Sequence, residues 1–323
     1  MKITRSDIED ALGIVRRSVP PTPAYAWPLL ARRCGADVIV KHENHTPTGS
    51  FKARGGLVFV ERLRRQGKPA GLITATRGNH GQSLAIAARA AGIPIRIVVP
   101  EGNSAEKNLA MEAFGADLVV HGRDFDEARQ AAYVEASTLG YFFIPSFHRD
   151  LVCGVATYAW EFFHEHKDLD AVFVPIGMGS GICALIAVRD LMQLRTDIVG
   201  VVADQAPAFH ASFQARRPIL GLPATTFADG LACREPQQEA LDVILRGAKD
   251  IIRVTEDEIA EAMRALFTDT HNVAEGAGAA AFAALLKERT AYAGRRVGVV
   301  LSGGNVDREV FARVLAGGVP ASN

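Results

Sequence analysis

The chain has 323 residues carrying 36 basic and 36 acidic side chains, so its formal charge is zero with histidine neutral. That balance excludes the basic footprint of a nucleic-acid binder and the character of an acidic solvating tail. Hydrophobic residues at 48% against 22% charged exclude intrinsic disorder and suit a soluble globular protein of about two domains.

In chain order, Lys2 and Arg5 are followed by the polar Ser6, Asp7, Glu9 and Asp10, so no apolar signal core follows them. No apolar run approaches the ~18 residues that a membrane span needs. From about residue 70, short β-branched runs alternate with helical patterns. Leu72–Thr74 reads as a strand, 82–91 as an alanine-rich helix, 95–99 as a strand and 104–114 as a helix. Then come a strand at 118–120, a helix at 124–138 and a strand at 141–144. Such alternation predicts βαβ units on a parallel sheet, with Gly92 and Gly115 at helix ends. A second α/β set starts with a strand at 171–175, a glycine-rich turn, an apolar helix at 182–194 and a strand at 198–203. After a less regular stretch it resumes with helices at 256–268 and 275–287 and a strand at 296–301. The expected partition is a small domain over 49–148 and a large domain built from 1–48 plus 149–323, with a small-molecule ligand in the cleft between them. Cys34, Cys153, Cys183 and Cys233 are scattered without a C-x-x-C pair, which argues against a disulfide framework and a thiolate metal site. A reducing cytoplasm is the expected location.

Four segments pair glycine or turn residues with chemistry-bearing groups. In Thr46-Pro47-Thr48-Gly49-Ser50-Phe51-Lys52, a lysine follows a turn and is flanked by small residues. Burial there would lower its pKa and make the amine nucleophilic, although a surface lysine at a helix start has the same local signature. Thr76-Arg77-Gly78-Asn79-His80-Gly81 lies between a predicted strand and a predicted helix, where free backbone N–H groups can hold a carboxylate. An ordinary loop with Asn79 as helix cap reads equally well. Gly177-Met178-Gly179-Ser180-Gly181 can form a nest of N–H groups for a phosphate, or simply a tight turn. It matches neither the Walker loop nor G-x-G-x-x-G. Ser302-Gly303-Gly304-Asn305 ends a strand with a hydroxyl that can meet a flat heterocycle, and a strand-ending turn explains it too.

Taken in order, these four motifs resemble the fold type II, or β-family, of pyridoxal-phosphate enzymes over about residues 20 to 310, in its serine/threonine dehydratase and serine racemase branch. The resemblance implies two open twisted α/β domains like those of the tryptophan synthase β-subunit, with pyridoxal 5'-phosphate in the interdomain cleft. It implies that Lys52 forms the Schiff base and moves the Cα proton, and that Phe51 covers the cofactor ring. Asn79 would bond the ring hydroxyl, and the backbone of Gly177, Met178, Gly179, Ser180 and Gly181 would hold the phosphate. Ser302 would face the pyridine nitrogen, where a neutral hydroxyl favours elimination over transamination. Ser50, Thr76, Arg77, Gly78, Asn79, His80 and Asp229 are the implied substrate-side residues, with Glu275 in another site-lining segment.

Two positions depart from the family pattern. Arg77 stands where the racemases resemble one another in carrying a serine, and a guanidinium is a poor acid or base at neutral pH, so little racemase activity is expected. Arg77 would either bind part of the substrate or form an outward salt bridge. Relatives with a divalent-metal site carry acids where Val202 and Ala208 stand, leaving Asp204 as a single carboxylate, so no metal is expected. The length leaves no room for the ~100-residue regulatory domain of biosynthetic threonine dehydratases. The expected activity is dehydration and deamination of a β-hydroxy-α-amino acid, foremost L-threonine or L-serine, to a 2-oxo acid and ammonia. The same elimination on 3-phenylserine or 3-hydroxyaspartate, or an inactive cofactor-binding protein, are the competing readings. The expected partners are a small amino acid and a second copy of the chain in a homodimer, with neither nucleic acid nor membrane.

Overall fold

In the computed structural model, which describes residues 1–321, the strands are β1 (Ala24–Ala26), β2 (Asp37–His42), β3 (Leu72–Ala75), β4 (Ile95–Val99), β5 (Asp117–Val120), β6 (Phe142–Phe143), β7 (Ala171–Pro175), β8 (Asp197–Ala203), β9 (Asp250–Val254) and β10 (Arg296–Leu301). The helices are α1 (Arg5–Val15), α2 (Pro28–Cys34), α3 (Lys52–Gln66), α4 (Asn79–Ala91), α5 (Ala105–Ala113), α6 (Phe125–Leu139) and α7 (Arg149–Glu165). They continue with α8 (Ser180–Leu191), α9 (Ala208–Ala215), α10 (Gln238–Gly247), α11 (Glu256–Thr270), α12 (Gly276–Lys287) and α13 (Arg308–Leu315). The chain divides into two compact units. One comprises residues 1–6, 21–45 and the chain from Tyr158 onward; the other comprises 7–20 and 46–157.

The first unit is built on a six-stranded sheet in the order β1-β2-β10-β7-β8-β9, parallel except for the antiparallel edge strand β1. Its central strands are buried almost throughout, so β7 and β8 read as continuous apolar runs instead of alternating ones. Helix α12 packs against this sheet, and its sequence explains how a helix can be enclosed. The segment GAGAAAFAALL presents mostly small side chains, so neighbours approach on every side, and residues 276–285 are all buried. Helix α11 begins with a capping box: Thr255 Oγ1 accepts from the Glu258 amide at 3.2 Å, and the Glu258 carboxylate accepts from the Thr255 amide at 2.7 Å.

The second unit holds a four-stranded, all-parallel sheet in the order β5-β4-β3-β6. Helix α6 starts at Asp124, whose carboxylate accepts from the amides of Asp126 and Glu127 at 3.0 Å, and ends at Gly140 with φ 64°. Its Ala128, Ala132 and Ala136, spaced four apart, face Ile73, Ala75 and Val98 of the sheet. Both sheets follow from the βαβ alternation of the sequence, and three of the segments singled out above leave the carboxyl ends of central strands: 76–81 after β3, 177–181 after β7 and 302–305 after β10. That is where open α/β sheets bind ligands. Among the described residues, no helix is long and apolar enough to cross a membrane.

Candidate active site

In the second unit, the turn before Lys52 is locked by its own side chains. Thr46 Oγ1 donates to the Ser50 carbonyl at 2.7 Å and accepts from the Ser50 amide at 3.0 Å, closing a loop that delivers Ser50, Phe51 and Lys52 to the start of α3. Lys52 is the first residue of that helix, and its Nζ lies 5.5 Å from the centroid of the Phe51 ring. Ser50 is fully buried, and its hydroxyl has no hydrogen-bond partner among the described residues.

The asparagine loop leaves β3, the strand flanked by β4 and β6. The Thr76 amide donates to the Val98 carbonyl at 3.1 Å, and Thr76 Oγ1 accepts from the Gly78 amide at 3.2 Å, which shapes the step into α4. Gly78 is the residue that caps α4, without a side-chain acceptor, and Asn79 is the first residue of the helix; the reading of Asn79 as an ordinary cap therefore does not describe this loop. His80 is buried. Its ring is hydrogen-bonded to the Pro145 carbonyl, and Nε2 has no partner among the described residues. Burial, and after it the positive charge of Lys52, push its pKa down to about 3. The imidazole is therefore neutral at pH 7, with Nδ1 donating to Pro145 and Nε2 left as an acceptor. Arg77 is half-buried and makes no ion pair or hydrogen bond among the described residues, so the outward salt bridge expected as one alternative is not formed.

In the first unit, the glycine cluster follows β7 and leads into α8. Gly179 caps that helix in the left-handed region at φ 95°, with no side-chain acceptor on the first amides. Gly177 lies so close to the next loop that a Cβ there would sit 2.2 Å from the Gly230 carbonyl oxygen. Glycine is thus required at 177 for space and favoured at 179 for conformation, and Ser180 and Gly181 open the helix with amides suited to a dianion. Ser302 leaves the neighbouring strand β10 and is 4% exposed. The Glu275 amide donates to the Gly303 carbonyl at 3.1 Å, and Asp229 stands beside Gly230 at the start of a short 3-10 turn. The structure thus gathers Gly177–Gly181, Asp229, Glu275 and Ser302 in one unit, and Ser50–Lys52 with Thr76–His80 in the other.

The cradle at 177–181, which side chains would fill, suits a phosphate; the orphaned Ser50 hydroxyl and His80 nitrogen suit a small polar ligand next to an amine. The residues therefore fit pyridoxal phosphate and an amino acid. For a metal the donors are sparse: among the described residues no three His, Cys, Asp or Glu side chains come together, and Asp204 lies 3.4 Å from the Arg253 guanidinium. All four cysteines are buried and unpaired. Sequence reading missed Thr46 as the lock of the turn and Pro145 as the partner of His80. The first had a signal in the threonine four residues before Ser50; the second had none, because β3 and β6 meet only in the folded sheet.

A family described as pyridoxal-phosphate dependent enzyme matches residues 15–303. The chain is 34% identical over 317 residues, 98% of this chain and 79% of the relative, to an L-threonine ammonia-lyase of Geobacter sulfurreducens. It is 30% identical over 315 residues, 97% of each chain, to an L-threo-3-hydroxyaspartate ammonia-lyase of Saccharomyces cerevisiae. A solved pyridoxal 5'-phosphate-dependent aspartate racemase matches it with a TM-score of 0.89 at 30% identity, over 96% of this chain and 98% of that one.

Proposed function

The chain belongs to the pyridoxal-phosphate-dependent enzyme family, in its fold type II, and is an ammonia-lyase of the threonine dehydratase kind; on that premise we propose that its substrate is L-threonine or L-serine and that Lys52 is its catalytic lysine. The observation that carries the reading is a pair of buried atoms without hydrogen-bond partners among the described residues: Ser50 Oγ, two residues before Lys52, and His80 Nε2, on a ring that the Lys52 charge reaches. Net, one amino acid gives one 2-oxo acid and one ammonia. Water leaves across Cα and Cβ, and one water is taken up when the released enamine hydrolyses.

When bound, the cofactor supplies an electron sink that stabilises negative charge at Cα. The chain supplies the rest. Lys52 would anchor the cofactor, and its amine would take the proton from Cα of the substrate. The backbone N–H groups of the asparagine loop and Thr76 hold the substrate carboxylate, while Asn79 fixes the ring. The amides of Ser180 and Gly181 neutralise the phosphate locally, with no need of a basic surface. Ser302 offers the ring nitrogen a neutral hydroxyl, which does not hold a proton there as a carboxylate would. His80 Nε2, kept neutral, accepts a hydrogen bond from the substrate or from the released lysine amine. A guanidinium is a poor acid or base at neutral pH, and Arg77 stands where the racemases carry a serine, so D-serine is not expected from L-serine at a rate near that of 2-oxo acid formation.

Arg77, without an ion pair or hydrogen bond among the described residues, supports a second reading, 3-hydroxyaspartate, whose second carboxylate would pair with it. A cytoplasmic homodimer completes the proposal, on the scattered cysteines and the family resemblance. The test is 2-oxo acid formation from both threonine diastereomers, both serine enantiomers, 3-phenylserine and 3-hydroxyaspartate. L-threonine or L-serine as the best substrate supports the first reading, and 3-hydroxyaspartate the second. No turnover of any of them by protein carrying the cofactor would overturn both.

A further inference from the structure

The carbonyl of Lys52 is held from outside its own helix. Ser83 lies on α4, is 1% exposed, and its hydroxyl donates to the Lys52 carbonyl at 2.6 Å. A serine inside a helix commonly turns its hydroxyl back to the carbonyl four residues earlier. This one reaches across to a different helix. The approach depends on the residue one turn after Lys52 being glycine: a Cβ at Gly56 would lie 2.3 Å from Ser83 Oγ and 2.5 Å from the Ser83 carbonyl oxygen. A carbonyl oxygen has two lone pairs, so that of Lys52 can accept from Ser83 and still serve the α-helical bond from the amide four residues on.

Ser83 also follows His80 by three residues, so the two project from one face of α4. The Lys52 charge acts on the His80 ring, while Ser83 grips the Lys52 backbone. Helix α4, whose first residues are Asn79 and His80, therefore holds the lysine backbone through Ser83 and carries the imidazole that the lysine charge reaches.

We propose that Ser83 is a positioning residue for Lys52: through its bond to the Lys52 carbonyl, it fixes the point from which the amine swings relative to Asn79 and His80 at the start of the same helix. The proposal rests on Lys52 being the lysine that anchors the cofactor and moves the Cα proton. Proton transfer is sensitive to the spacing of donor and acceptor, whereas substrate binding through the asparagine loop does not involve the Lys52 backbone. Loss of the bond thus falls on kcat and leaves KM nearly unchanged.

Ser83→Ala removes only the hydroxyl, and Ser83→Thr keeps it. With one neutral hydrogen bond worth about 1 kcal/mol, the expected result for Ser83→Ala is a loss of roughly five- to tenfold in kcat with KM within about twofold. A displaced pH midpoint in the visible absorption of the bound cofactor is expected with it, and Ser83→Thr should restore both. In the cofactor-free protein, the pH dependence of Lys52 labelling by an amine reagent, followed by peptide mass spectrometry, should shift in Ser83→Ala alone. Unchanged kcat, absorption midpoint and labelling in Ser83→Ala would overturn the proposal. So would equal losses in both variants together with lowered melting temperatures, which would make the role one of packing. Lys52→Ala separates this from failure of the underlying reading: if it still forms the covalent cofactor band, the assignment of Lys52 is wrong, whatever Ser83 does.

Discussion

A buried polar atom left without a partner costs about 1–3 kcal/mol, so two of them, one on the turn before Lys52 and one on a ring that the Lys52 charge reaches, suit a ligand that would satisfy them. Ser50 Oγ and His80 Nε2 are such atoms, and the identity of Arg77 bears on what satisfies them. If its half-buried guanidinium pairs with the second carboxylate of 3-hydroxyaspartate, Arg77→Leu should lower kcat/KM for that substrate by roughly 10- to 100-fold, the worth of a charge-assisted bond, while leaving L-threonine within about threefold. Equal effects on both substrates, measured by steady-state 2-oxo acid formation, would remove Arg77 from substrate recognition. Lys52, Asn79 and Ser302 could be singled out in sequence because each sits in a short motif of turn or glycine residues, and the roles proposed for them come from the family resemblance. The partners that tune them could not be. Pro145 for His80, and Ser83 for Lys52, come from segments tens of residues away, and nothing local marks them.

Among the elements, the glycine loop between β7 and α8 shows what spacing can and cannot convey. The sequence called for glycines to let backbone approach a phosphate, and Gly179 does take the left-handed conformation at φ 95°. Gly177 answers to a different demand, the Gly230 carbonyl from a loop some fifty residues on. Gly177→Ala must move one backbone segment or the other. We expect it to weaken cofactor binding by about tenfold or more, as losing one charge-assisted phosphate bond would, read from titration of the cofactor-free protein. Affinity equal to that of the parent would show that the loop does not hold the phosphate. Several elements escaped sequence reading for a physical reason. Helix α7 has apolar residues on most of its faces and so no polar stripe to give it a period. Strand β9 and helix α10 lie in the stretch read as irregular, and strand β2, in the chain before the glycine turns, was not recognised. The alternating elements from 72 to 143 were found within a few residues because glycines and helix caps punctuate them.

For the whole molecule, buried neutral histidines set the response to acid. Burial, with the charges of His45 and Lys41 acting in the same direction, holds His42 at about 4; burial and Lys52 hold His80 at about 3; burial lowers His166 as well. Their folded-state values lie below the ordinary 6.5, so below pH 6.5 the unfolded chain binds more protons than the folded one. Stability is therefore fully present above about 6.5 and declines as pH falls toward the folded-state values. By pH 5 the decline should amount to about 2 kcal/mol for each of His42 and His80. Urea midpoints of the cofactor-free protein at pH 7 and pH 5 measure it, and equal or higher stability at pH 5 would contradict these environments. The zero net charge excluded polyanionic partners, and the four ordered motifs, through their resemblance to a known family, were enough to infer the family, the cofactor and the type of reaction. Those depend on residue types at strand ends, and such spacing is written locally. Which partner neutralises or pins each reactive group depends on packing between segments distant in the chain. Only the folded sheets and the α3–α4 contact decide that Lys52 is gripped by Ser83, that His80 stays neutral, and that Gly177 has no room for a side chain.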